Sequence, residues 1–181
     1  TLGINIDADF PLLEKSVREA GICFMMAQRH HGAMRNVMPV RRAMRVRTAF
    51  NLLGPMTNPA GARRQVIGVF ARRYAEVVAK ALSELGSEHV LVVCGDDGRG
   101  GVLDEISTCG PTLAWELRNG RLQRHDLSPQ QLGLSTAPVS ALKGGDAPAD
   151  AAGRTLTLKS VRAGPNGAVA RFAEISDRGA A

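Results

Sequence analysis

The run HVLVVCG at 89–95 constrains most what this chain can fold into. A short, continuous apolar run is the pattern of a strand covered on both faces, and it predicts the centre of a sheet. QVIGVF (65–70) predicts a second strand. Between them, Tyr74 to Leu85 has the apolar spacing of an amphipathic helix, and Gly86 stands where the residue after a helix favours positive φ. Strand, helix and strand in that order predict an α/β layer with parallel neighbours.

Other elements follow from local chemistry. Asp9, Pro11 and Glu14 mark a helix start, Leu12, Leu13, Val17 and Ala20 give it an apolar stripe, and Gly21 ends it. ICFMMA (22–27) reads as a further buried strand and QRHHGA as a loop. Residues 33–53 predict two short helices broken at 38–39 by Pro39, and GPMTNPAGA (54–62) predicts a loop. TLAWEL and RLQRHDL flank Asn119-Gly120, a type I′ hairpin signal, so an antiparallel pair is expected at one edge of the sheet. Ser128-Pro129 suits the start of a short helical turn. The expected domain is residues 1–150. Residues 151–181, poor in large apolar side chains, read as a divergent tail that is loosely held or disordered, or as one weak helix carrying Val161, Val169, Phe172 and Ile175.

Composition narrows the function classes. No apolar run reaches the roughly 18–20 residues that span a bilayer, and no leader pattern opens the chain, so no membrane partner is expected. Thr1 opens the sequence in mid-pattern, which reads as a processed or truncated start. Cys23, Cys94 and Cys109 form no CxxC pair; Cys23 and Cys94 lie in apolar runs and read as structural thiols of a reducing, cytoplasmic compartment. The four histidines show no zinc spacing. A net charge of +6, carried by 19 arginines and four lysines, suits a phosphate-rich partner, either nucleic acid or a phosphorylated metabolite. Aromatics at 4% make a base-stacking platform hard to build.

Two constellations carry chemistry. Residues 30–61 hold a His pair, five arginines and a Gly-Pro loop; Arg41 and Arg45 share a helix face by spacing, either as an ordinary solvated face or as an anion-binding rim beside Gly54. Residues 94–108 take the most apolar strand into a Gly-rich acidic loop. Asp104-Glu105 there is either an exposed turn or a pair of hard oxygen ligands for Mg²⁺ at the carboxyl end of a strand, where α/β sheets bind ligands.

In order along the chain stand His31, Ala33-Met34, Pro39-Val40-Arg41-Arg42, Val46-Arg47-Thr48, Phe50-Asn51, Leu53-Gly54-Pro55 and Asn58-Pro59-Ala60-Gly61. LDEIST (103–108) follows. This series closely resembles the second half of the anthranilate phosphoribosyltransferases, from about Leu2 to about Asp146. The resemblance implies a partial nucleoside phosphorylase/phosphoribosyltransferase-type α/β domain with a mainly parallel sheet and an edge hairpin. It also implies transfer of the phosphoribosyl group of phosphoribosyl pyrophosphate to anthranilate, in tryptophan biosynthesis, by an enzyme that is a homodimer at full length. By the same resemblance Arg41 binds the anthranilate carboxylate, Gly54 and Pro55 line the aromatic site, and His31 lies near the anthranilate channel. Asp104 and Glu105 help bind the Mg²⁺ cofactor; no residue is assigned as a catalytic acid or base.

Three departures stand beside it. The family's GTGGD phosphate loop and KHGNR segment are absent, so the chain is expected to be a fragment inactive alone. The connection at 95–103 is longer than usual, and an expected alanine-rich end is replaced by AGPNGAVARFAEISDRGAA, as in a frameshifted or divergent end. The competing reading is a non-enzymatic nucleic-acid binder on the same scaffold; the aligned Arg41, Gly54-Pro55 and Asp104-Glu105 disfavour it.

Overall fold

The computed structural model describes residues 5–30, 32, 36–44, 46, 48–142, 154–164 and 167–177. The chain divides into two compact units, residues 1–38 with 144–181, and residues 39–143.

In the first unit, helix α1 spans Phe10–Ala20. The Asp9 carboxylate accepts from the Leu12 amide at 3.1 Å, and Pro11 sits in the first turn, where its missing N–H breaks no helical bond. Gly21 ends the helix at φ 74° with its N–H on the Val17 carbonyl, so both ends fall where the sequence predicts. The strand expected at 22–27 is not formed. Residues 22–26 have no regular structure, and α2 (Ala27–His30) is a single turn that takes in part of the expected loop. An apolar run becomes a strand only when a ladder partner satisfies its backbone, and among the described residues this one has none. Cys23, expected in the core, is half-buried. Residues 154–177 differ too: β6 (Arg154–Gly164) and β7 (Gly167–Asp177) pair antiparallel, from Arg154↔Asp177 to Gly164↔Gly167. Backbone pairing of this kind draws on no helical periodicity, so the weak stripe at 161–175, the lesser of the two readings beside a loosely held tail, does not form a helix here.

Helix α3 (Met38–Met44) begins at the boundary of the two units with Pro39 in its first turn, so 38–39, expected as a break between helices, is where a helix starts. Next comes α4 (Phe50–Met56). Gly54, Pro55 and Met56, expected in a loop, are its last turn. The Thr57 amide and hydroxyl both donate to the Leu53 and Gly54 carbonyls and close the helix end. The loop proper is Asn58–Gly61, where Asn58 Oδ1 accepts from the Ala60 amide at 2.9 Å.

Strand β1 (Arg64–Gly68), helix α5 (Arg73–Glu84) and strand β2 (His89–Asp96) form the predicted unit, with β1 and β2 parallel. Past α5, Gly86 takes φ 81°; its N–H reaches the Ser83 carbonyl and that of Ser87 reaches Leu82, a Schellman closure. Strands β3 (Val102–Leu103), β4 (Thr112–Arg118) and β5 (Arg121–Leu127) complete a sheet of order β1-β2-β4-β5, with β3 on β2. Asn119 and Gly120 both take positive φ, 51° and 73°, as the hairpin signal requires. The α/β class, the central position of β2 and the edge hairpin stand as expected. The mainly parallel sheet does not: among the described residues β1–β2 is parallel, whereas β2–β3, β2–β4 and β4–β5 are antiparallel. A parallel neighbour needs a crossover, and between β2 and β4 the chain has no helix to supply one.

Ile67 and Val69 join Val90, Val92, Cys94 and Leu117 on one face of the sheet, covered by Ala75, Val78, Ala79 and Leu82 of α5. Leu82 is 1% exposed, so Leu82→Ala is expected to cost about 2–5 kcal/mol of stability. Urea denaturation followed by Trp115, which packs against this core, measures it; an unmoved midpoint would refute the packing.

Candidate active site

The carboxyl ends of β1 and β2 form the rim on which the acidic loop sits. Beyond β2 the chain turns back as β3, pairing Gly95↔Leu103 and Asp96↔Val102 and closing residues 97–101 into a small hairpin. Its two aspartates are used internally. Asp97 Oδ1 accepts from the Arg99 and Gly101 amides at 2.8 Å each, and Asp96 Oδ1 accepts from the Gly98 amide at 2.7 Å. Asp96 Oδ2 also pairs with Arg72 Nη2 at 2.8 Å.

Asp104 and Glu105 follow at once, and both are exposed. Among the described residues neither carboxylate has a hydrogen-bond or ion-pair partner. Their backbone lies directly over the strand ends. A Cβ built on Gly68 would run into the Asp104 carbonyl, and one on Gly95 would stand 2.6 Å from the Glu105 carbonyl oxygen and 2.6 Å from Ser107 Cβ. Only glycine permits so close a crossing. Below it Cys94 is fully buried. Burial pushes its thiol up, with the Arg72 charge opposing and the Asp104 charge adding, so it is the inert thiol expected.

Ser107 and Thr112, which sequence reasoning passed over, anchor the far side of the loop. Ser107 Oγ donates to the Asp96 carbonyl at 2.5 Å and accepts from the Cys109 amide at 2.9 Å; the Ser107 amide donates to Thr112 Oγ1 at 2.9 Å. The sequence signal was the two glycines at strand ends, which announce a close backbone approach without saying whose.

Of the other predicted residues, Arg41 lies in α3, and Gly54 and Pro55 share the last turn of α4. His31 falls outside the described residues. No hydrogen bond or ion pair among the described residues joins these helices to Asp104 or Glu105. Elsewhere, Glu116 accepts from His89 Nε2 at 2.8 Å and His125 Nε2 at 3.1 Å. Burial pushes its carboxyl up, but the hydrogen bonds and charges of the two histidines outweigh that and hold it below the ordinary range. Among the described residues no three His, Cys, Asp or Glu side chains are grouped to hold a metal ion. None of the described helices is long and apolar enough to cross a membrane.

The fold is an open α/β sheet with two exposed acids at its carboxyl rim, the end at which sheets of this class commonly bind ligands. The family model described as "Glycosyl transferase family, a/b domain" matches residues 1–173, and the chain belongs to that family. It is 47% identical over 161 residues to the anthranilate phosphoribosyltransferase of Rhodospirillum rubrum, covering 89% of this chain and 45% of that protein. It thus spans about half the length of such relatives. Among solved structures, it is similar to the Saccharomyces cerevisiae anthranilate phosphoribosyltransferase in complex with phosphoribosyl pyrophosphate and Mg (TM-score 0.66, 29% identity). That match covers 77% of this chain and 38% of that one. The same yeast enzyme with 4-fluoroanthranilate matches with TM-score 0.66 at 26% identity, covering 77% and 38%.

Proposed function

We propose that this chain is the portion of an anthranilate phosphoribosyltransferase that carries the anthranilate-binding helices and the metal-binding acids. The catalytic part is assigned to residues 1–150. The observation that carries the reading is the Asp104-Glu105 pair, exposed, without a hydrogen-bond or ion-pair partner among the described residues, and fixed over the ends of β1 and β2. Two exposed, adjacent carboxylates on a fixed backbone fit a hard cation that completes its shell with water and phosphate oxygens. Bound there, Mg²⁺ supplies neutralisation of the charge that gathers on the pyrophosphate leaving group.

The chain's own residues do the positioning. The Arg41 guanidinium holds the anthranilate carboxylate by charge-assisted bonds. Gly54 and Pro55 line the aromatic ring's site, and for His31 a role near the anthranilate channel rests on the family resemblance alone. The anthranilate amine nitrogen bonds to ribose C1 as the C1–oxygen bond to pyrophosphate breaks, and the amine proton passes to water. An aromatic amine attacking an oxocarbenium-like carbon needs no strong base, so orientation is the main contribution. The assembled enzyme is a homodimer.

The 181-residue chain by itself is expected to be silent, because phosphoribosyl pyrophosphate needs oriented backbone amides as well as a cation. A chimera in which this chain replaces the segment it matches in the Rhodospirillum rubrum relative is expected to be active. Product fluorescence with anthranilate, phosphoribosyl pyrophosphate and Mg²⁺ tests both proteins. Turnover by the chain alone near the roughly 1–1000 per second of ordinary enzymes would refute its dependence on further residues. A folded but inactive chimera would refute the functional reading.

A further inference from the structure

We propose that Ser107 is a positioning residue for the Asp104 and Glu105 carboxylates, acting through Thr112 and the Asp96 carbonyl; this rests on the reading of those acids as the Mg²⁺ site. Because neither carboxylate has a partner of its own among the described residues, where they stand is decided by their backbone. That backbone is held before the pair by the β2–β3 pairing and beneath it by Gly68 and Gly95. After the pair the tether is Ser107.

Every polar group of Ser107 on this side is used. Its hydroxyl spans the Asp96 carbonyl and the Cys109 amide, and its amide is held by Thr112 Oγ1. Asp96 is the last residue of β2, and Thr112, the first of β4, pairs with Gly95. One serine thus ties the loop to both strands under it. Ser107 is 3% exposed and Thr112 0%, so water cannot replace a lost partner, and the arrangement is held as a unit. The Ser107 hydroxyl has its one proton committed to the Asp96 carbonyl and is almost wholly buried, so it is not placed to bind a ligand itself. It acts by fixing the turn from which the two acids project.

The test pairs an exchange measurement on the 181-residue chain with a metal titration of the chimera. In the chain, Ser107→Ala should speed hydrogen exchange of the 104–109 amides and leave those of β2 and β4 protected. In the chimera, Ser107→Ala should raise the Mg²⁺ concentration for half-maximal rate by about tenfold, as loss of a group supporting metal ligands does, and leave the anthranilate KM unchanged. Thr112→Val should move in the same direction and Thr112→Ser should restore the parent's requirement. If the parent chimera is active and Ser107→Ala keeps its Mg²⁺ requirement, the positioning role alone is overturned. Equal shifts for Mg²⁺ and anthranilate, with exchange rising through β2 and β4, overturn it as general loosening. A parent chimera with no transfer overturns the reading of the site and this proposal with it.

Discussion

Replacing Asp104 with Asn and Glu105 with Gln in the chimera is expected to lower turnover on the order of 100-fold, as removing a major source of electrostatic stabilisation does. The residual activity should need more Mg²⁺. Both substitutions keep the side-chain shape and remove only charge, and among the described residues the exposed carboxylates make no bond that the change could break. The fold should therefore be indifferent: the urea midpoint of the variant is expected to match that of the parent. That separation makes the experiment decisive. Normal Mg²⁺ dependence would remove the pair from the metal site, whereas a large loss of stability would mean that the acids serve the loop. Asp96 and Asp97 provide the contrast, since their carboxylates already hold loop amides, and for Asp96 Arg72 as well.

Arg41→Ala in the same chimera is expected to raise the anthranilate KM by about 10- to 100-fold, the equivalent of a charged hydrogen bond at about 1.5–3 kcal/mol. The Mg²⁺ requirement should stay where it was. Arg41→Lys should recover only part of the loss, because an ammonium cannot present the planar fork that matches a carboxylate. Steady-state titration of anthranilate at saturating phosphoribosyl pyrophosphate measures this, and an unchanged KM would remove Arg41 from the role. The two experiments address different substrates, so their effects should combine independently.

The parts of the fold that the sequence announced are those fixed by local chemistry. Asp9 and Gly21 bracket α1, Gly86 closes α5, and Asn119-Gly120 turns the hairpin, because each depends on φ or on a hydrogen bond within a few residues. Residues 22–26 show the opposite case: whether an apolar run pairs depends on what lies beside it, which periodicity does not encode. Gly54-Pro55 misled in another way. Both are helix breakers in mid-helix, yet at the last turn of α4 the Thr57 cap makes them tolerable.

For the site, an apolar strand running into Asp104-Glu105 was visible in the residues alone. What was hidden is the return of the chain over Gly68 and Gly95 and the Ser107–Thr112 tether, both set by long-range packing. The roles proposed for Arg41, Gly54 and Pro55 rest on the likeness to the family, which no spacing argument could replace.

The small hairpin between Asp96 and Val102 shows how a longer connection, as the sequence leads one to expect here, would be accommodated. Because β2 and β3 pair at its base, added residues bulge outward while the point of return stays fixed. Closing such a loop costs only about 0.6 kcal/mol more for each doubling of its length. Insertion length and site geometry are therefore separable at this position. The stretch from Asp97 to Gly101 is a place where a peptide tag is expected to be carried at the rim without shifting the acids.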